Sequence, residues 1–252
     1  MEQQEDIMMD GENIYNKIKE IFGCMSNNLN ILEEQIDIDL QMEYFEFSKN
    51  LNAQKSSEEI LEEKDKLFES SVSVETKKKI LVELASVEEI EAFRTIEKYL
   101  KNPDKELKDW ATLSLQESKM FIESKLLDEN QIFISTGLGG KGSKLRYFVV
   151  LISQKKTNFT VLQKKVIKSE FDYTLKKYDG EIEEIKYAKT FSTIKAVIPL
   201  NVSIKEVFKE ALDECNQYGN FLEDNFIVTN MKELSFEEIE DFLEKEKYNE
   251  NT

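Results

Sequence analysis

Histidine is absent from these 252 residues. That removes the side chain that most often carries protons near neutral pH, and with it the commonest metal ligand. Cysteine is almost as scarce. Cys24 and Cys215 stand alone, far apart and without the paired spacing that builds a zinc site. Two buried, reduced thiols are expected, with no metal and no cofactor. No apolar run approaches the length of a membrane span, and Met1–Asp10 is acidic and polar rather than a basic start followed by an apolar core. These absences predict a cytoplasmic protein that makes no membrane contact. Glycine numbers eight and arginine two, so where they fall carries information.

What is present reads as globular. Apolar residues make up 40% and charged residues 34%, a composition that can bury a core. The length suits one large domain or two ordinary ones. A net charge of −17 argues against wholesale wrapping by nucleic acid. The charge is nevertheless uneven. Residues 130–169 contain no Asp or Glu, while Lys141, Lys144, Arg146, Lys155, Lys156, Lys164, Lys165 and Lys168 all lie there. Such a stretch is either a basic surface for an anionic partner or a region neutralised from within by the acidic helices.

Helix starts are marked by Ser or Thr followed three residues later by Glu or Gln, a spacing that satisfies two free backbone N–H groups reciprocally. Ser56/Glu59, Ser86/Glu89, Thr160/Gln163, Ser203/Glu206 and Ser235/Glu238 fit, each leading into apolar residues at helical spacing. Everything before residue 130 reads as helical: a first stripe at Ile14, Ile18, Ile21 and Phe22, one or two helices over 28–50, a charged helix over 57–69, and another over 75–85. A pair follows at 88–101 and 103–127, with Pro103 at the favoured first position of the second helix. Ile96, Leu100, Asn102, Pro103, Asp104, Leu107, Lys108, Ala111 and Leu115 resemble one HEAT-type helical repeat, covering about forty residues. That resemblance implies a stacked helical scaffold for docking, without chemistry of its own. An ordinary helical hairpin would carry the same residues.

After residue 130 the pattern changes. A strand at 145–152, a helix from Thr160 to Tyr178 ended by Gly180, a hairpin of 181–188 with 191–200, a helix from Ser203, a strand at 225–230 and a final helix at 235–247 are expected. The order β-α-β-β-α-β looks like a ferredoxin-like split βαβ sandwich. The predicted class is therefore α+β: a helical domain over 1–129, a ferredoxin-like domain over 130–232, and a terminal helix with its tail over 233–252. The first strand is apolar on both faces, yet the two crossover helices cover only one. The other must meet the helical half, a second subunit or a ligand.

Half of the glycines fall within 137–142, in the run Gly137-Leu138-Gly139-Gly140-Lys141-Gly142-Ser143-Lys144-Leu145-Arg146. Glycine reaches φ > 0 without a steric penalty, so clustered N–H groups beside three cations are suited to an anion. Gly137, Gly139 and Gly142 match a dinucleotide spacing, but a strand follows where the pyrophosphate needs a helix N-terminus. Three readings stay open for the loop: a grip on RNA phosphates, a contact with an acidic protein surface, and a purely structural crossing. The functional expectation is a non-enzymatic binding or adaptor protein. Gly137, Gly139, Gly140, Lys141, Gly142, Lys144, Arg146, Lys155 and Lys156 would contact an anionic macromolecule, an acidic protein surface or RNA such as that of the ribosome. The alternative is a ligand sensor or enzyme holding a phosphorylated small molecule in the same loop, with Asp172, Tyr173 or Glu183 as acid or base.

Overall fold

Local side-chain hydrogen bonds start most of the helices. The computed structural model describes residues 29–51, 55–128 and 131–250, so Cys24 and the stripe at Ile14, Ile18, Ile21 and Phe22 lie outside the described residues. By its internal contacts the chain divides into two units, one made of Ser26–Leu32 with Ile36–Ser135, the other holding Glu33–Gln35 and Thr136–Thr252. The class is α+β, with most helices preceding an antiparallel sheet.

The helical unit contains β1 (Leu29–Ile31), α1 (Ile38–Asn50), α2 (Ser57–Glu62), a 3-10 turn (Lys64–Phe68), α3 (Val74–Ala85), α4 (Ile90–Leu100), α5 (Lys108–Leu127) and β2 (Ile132–Ile134). Ser56 and Glu59 form the expected capping box, and Ser73 caps α3 by accepting from the Thr76 N–H at 3.2 Å. Three expectations need correction. Residues 29–31 are a strand, paired in parallel with 132–134, because long-range pairing overrides a local helical pattern. Ser86 does not start α4; it ends α3, and α4 begins after Glu89 without a side-chain cap. Pro103 does not open a helix either: Lys105–Leu107 makes a 3-10 turn before α5 begins at Lys108.

The turn between α4 and α5 is fixed by polar contacts. Buried Lys77 of α3 reaches Asp104 at 2.7 Å, and the Tyr99 hydroxyl donates to the same carboxylate at 2.6 Å. Trp110 is fully buried. Its indole N–H donates to the Lys78 carbonyl at 3.2 Å, and Tyr44 and Phe47 of α1 stand edge-on to its ring.

The sheet unit contains β3 (Gly140–Lys141), β4 (Lys144–Ser153), α6 (Val161–Lys177), β5 (Glu181–Tyr187), β6 (Phe191–Pro199), α7 (Ile204–Asn216), β7 (Leu222–Thr229) and α8 (Phe236–Glu250). All pairings are antiparallel. β6 runs along β4 from Lys144↔Pro199 to Ile152↔Phe191, β5 lies outside β6, and β7 shares the opposite edge of β4 with the short β3. β4 and β5, both antiparallel to β6, are thus parallel to each other and joined through α6. β6 and β7 are likewise joined through α7.

Tyr147, Val149 and Leu151 point to the face that carries the crossover helices, where Phe171 of α6 meets Phe208 of α7 at a ring separation of 5.7 Å. The second face of β4 is covered within the unit. Phe148 and Val150 pack with Leu138, Phe191 and Ile239 of α8, and Phe236 stands edge-on to Phe191 at 5.2 Å. The final helix is therefore part of this core. One further correction concerns the end of α6. Asp179 (φ +57°), not Gly180, takes the left-handed conformation. Gly180 is needed for space instead, since a Cβ there would lie 3.1 Å from the Leu175 carbonyl and 3.2 Å from that of Val197.

Candidate functional site

The glycine run folds into a crossing and a hairpin. Gly137, Leu138, Gly139 and Gly140 are all buried. The Leu138 N–H donates to the Asn230 carbonyl at 3.0 Å, and the Gly139 N–H to the Thr136 carbonyl at 3.1 Å. Gly139 has φ +65°, and its missing side chain lets the backbone of Glu33 and Glu34 pass directly over it. Gly140 and Lys141 then pair with Leu145 and Lys144 across a two-residue turn, where Gly142 supplies the positive φ that such turns demand. The Gly142 N–H donates to the Glu33 carboxylate at 2.7 Å. The N–H groups therefore do not converge on one empty point, and the one that faces an anion faces the chain's own.

The three cations of the run are also matched internally. Arg146 forms a fork with Glu183, Nε to Oε2 at 2.6 Å and Nη2 to Oε1 at 3.0 Å, while Nη1 donates to the Leu138 carbonyl at 2.6 Å. Lys141 meets Glu181 at 2.8 Å and Lys144 meets Asp179 at 2.9 Å. Two-point hydrogen bonding from Arg146 holds the Glu183 carboxyl below the usual carboxylate range despite partial burial. The Glu183 carboxylate in turn raises the Arg146 guanidinium. The Lys141–Glu181 pair is more than half exposed on both sides, so water screens it and it contributes little. The neutralising acids come from β5 and the turn before it rather than from a helix.

The rest of the basic region lies at the other end of β4. Lys155 and Lys156 occupy the exposed turn that follows Ser153, where β4 ends, seven residues and so roughly 23 Å along the strand from Arg146. The structure thus separates residues that the sequence reading grouped into one site. Two other connections meet this turn. The Ser153 N–H donates to the Thr190 carbonyl at 2.8 Å and the Gln154 N–H to the Phe221 carbonyl at 3.0 Å. Phe159 stands edge-on to both Tyr187 and Phe221, at 6.2 and 6.4 Å. Thr160 then caps α6 through a reciprocal box with Gln163.

Lys155, Lys156, Lys165, Lys168 and Lys189 are exposed and form no ion pair among the described residues. Lys164 instead lies over the Tyr187 ring, 5.0 Å from its centroid. Beside them, Val161 and Leu162 are 75% and 68% exposed. Sequence reading missed these two and Lys189. A helical wheel carries part of the signal: Val161 and Leu162 fall away from the buried side defined by Ile167, Phe171 and Leu175.

Asp172 and Glu183 line one shallow cleft of about 400 Å³ with Lys168, Ile182, Glu184, Ile185 and Tyr187. Asp172 is bonded by Lys176 at 2.7 Å and Glu183 by Arg146, while Tyr173 is 69% exposed. The Glu183 carboxyl is held low by Arg146, the opposite of what a general acid near neutral pH needs. Among the described residues, no cluster of metal-ligating side chains could hold an ion, and no helix is long and apolar enough to cross a membrane. Compared with protein-family models the sequence finds no match, and compared with curated proteins it finds none either.

Proposed function

We propose that this chain is a non-enzymatic, cytoplasmic binding or adaptor protein whose basic surface contacts an anionic macromolecular partner. The observation that carries the reading is the division of the acid-free stretch into a satisfied half and an unsatisfied half. Lys141, Lys144 and Arg146 are paired with Glu181, Asp179 and Glu183, whereas Lys155, Lys156, Lys165 and Lys168 present charge to solvent on a protein of net charge −17. Positive charge concentrated on an acidic molecule gives a local field that selects partners and speeds their encounter. On this reading Lys155 and Lys156 make the contact. Gly137, Gly139, Gly140, Lys141, Gly142, Lys144 and Arg146 shape the opposite end of the sheet and reach a partner only by exchanging internal acceptors for external ones.

The fold reading that accompanies this proposal is a HEAT-like hairpin of α4 and α5 and a ferredoxin-like sandwich. The second is supported by the strand order β7-β4-β6-β5 with helices joining β4 to β5 and β6 to β7. Both architectures serve as scaffolds for docking, and neither specifies chemistry. A phosphorylated small molecule in the glycine loop is the weaker alternative, since it must displace the Glu183 fork and the Glu33 carboxylate.

Affinity capture tests the proposal. The wild type is expected to retain a partner that the triple variant Lys155→Glu/Lys156→Glu/Lys165→Glu loses while keeping its urea midpoint. Nucleic acid carried through low-salt purification, and removed by added salt, identifies RNA as that partner. Equal recovery by both proteins overturns the reading.

A further inference from the structure

The lysines at the far end of β4 surround aliphatic side chains that the fold leaves uncovered. Val161 and Leu162 open α6 at 75% and 68% exposure, directly after the turn that carries Lys155 and Lys156, and Lys165 lies one turn further along. The Ser153–Thr190 hydrogen bond brings the β5–β6 turn, with Lys189, to the same end. The Gln154–Phe221 bond brings the α7–β7 connection, where Tyr218 is 64% exposed. Three loops therefore meet at this end, and two of them, together with Lys165 of α6, carry the lysines that flank the exposed aliphatic pair.

We infer that this surface docks an acidic protein segment that carries aliphatic side chains among its carboxylates. The inference rests on the binding role proposed above and names the class of partner. Charge complementarity fixes the sign: Lys155, Lys156, Lys165 and Lys189, without an ionic partner among the described residues, call for carboxylates or phosphates. The centre of the patch separates these two. Nucleic acid is held by aromatic or guanidinium planes that stack on bases, and neither kind is concentrated here. Both arginines lie elsewhere in the sequence, at Arg94 and Arg146. Phe159, Tyr187 and Phe221 are engaged with one another edge-to-face, leaving Tyr218 as a lone exposed ring. Val161 and Leu162 offer nothing to a phosphate backbone, but side chains of a partner can cover them. Burial of a Leu gives one strong anchor, and the lysines around it supply rim charges that set orientation and encounter rate.

The fold supports the surface without depending on it. Thr160 and Gln163 cap α6 through groups that do not involve Val161 or Leu162. Substitutions at the two aliphatic positions therefore leave the helix start in place, which makes them clean probes.

A fluorescein-labelled synthetic peptide of Glu and Asp with Leu at helical three- and four-residue spacing serves as the probe. It is compared with the same peptide with Ser replacing every Leu, with oligouridylate, and with phosphatidylserine vesicles. The Leu-containing peptide is expected to bind, and Leu162→Ser is expected to weaken it about tenfold without changing the salt dependence. Lys155→Glu/Lys156→Glu is expected to abolish binding and its salt dependence together. Equal binding of the Leu and Ser peptides, or no effect of Leu162→Ser, overturns the aliphatic anchor but leaves the anionic-partner reading standing. Tighter binding of oligouridylate or vesicles overturns the partner class alone. Binding of none of the four probes overturns both.

Discussion

Gly139→Ala and Gly142→Ala form a matched pair whose difference isolates close packing from backbone strain. Both glycines lie in the left-handed region, at φ +65° and +61°. An L residue held there costs about 1–2 kcal/mol, so this contribution is common to the two variants. The space around them differs. A Cβ on Gly142 meets nothing within 4 Å, whereas one on Gly139 would lie 2.5 Å from the Glu33 carbonyl oxygen and closer still to that of Glu34. Those atoms are backbone and cannot rotate aside, so the 33–35 segment must move by a large part of an ångström. Overpacking of that kind adds about 1–3 kcal/mol. Gly139→Ala is therefore expected to destabilise the sheet unit by about 2–5 kcal/mol and Gly142→Ala by about 1–2 kcal/mol. Urea unfolding followed by far-ultraviolet circular dichroism gives both values. Amide exchange at Arg146, whose N–H donates to the Gly139 carbonyl at 3.0 Å, localises the effect. Equal losses for the two variants would refute the argument that the crossing over Gly139 requires a bare α-carbon.

Other consequences can be measured on the same protein. Ile239→Ala should cost about 2–5 kcal/mol, because Ile239 is fully buried against Leu138, Phe148, Val150 and Phe191; a loss below 1 kcal/mol would mean that α8 does not complete this core. Glu183→Gln should lower stability at pH 7 by about 1–3 kcal/mol through the Arg146 donors it leaves poorly paired. Because the Glu183 carboxyl is held low in the folded state, its contribution is present above the ordinary carboxylate range and is lost as pH falls through the lower folded value, so the difference between wild type and variant should shrink on acidification. Cys215 is fully buried and its thiol is pushed up to about 12, mainly by burial. In a Cys24→Ser background it should resist a thiol reagent at pH 8 until urea unfolds the chain, and immediate labelling would contradict the burial.

Much of the chain was legible because its signals are local. Thr160 with Gln163, and Ser235 with Glu238, satisfy backbone groups three residues away, and the structure contains both reciprocal pairs. The almost continuous apolar run over 145–152 likewise marked β4 and showed that both of its faces need cover. The candidate site was less legible. The sequence placed Arg146 and Lys155 in one acid-free stretch, but an extended strand carries them to opposite ends of the sheet. Glu183, which takes Arg146, is 37 residues away and belongs to a stretch that reads only as a polar strand. The helical pattern over 28–50 misled at its start, since Leu29–Ile31 satisfies its backbone through Ile132–Ile134, about a hundred residues later.

By itself the sequence determined the helix starts at Ser56, Thr160, Ser203 and Ser235, the change from helices to strands alternating with helices, and the concentration of positive charge between residues 130 and 169. These are matters of composition and of contacts within a few residues, which any chain with this order of side chains must express. Tertiary structure alone decided which of those charges are satisfied, that the terminal helix closes the second face of β4, and that the backbone at Glu33 and Glu34 crosses bare Gly139. Such outcomes depend on elements distant in the chain arriving at the same place. Pairing an Arg with one Glu rather than another is decided by strand register, which no local pattern records.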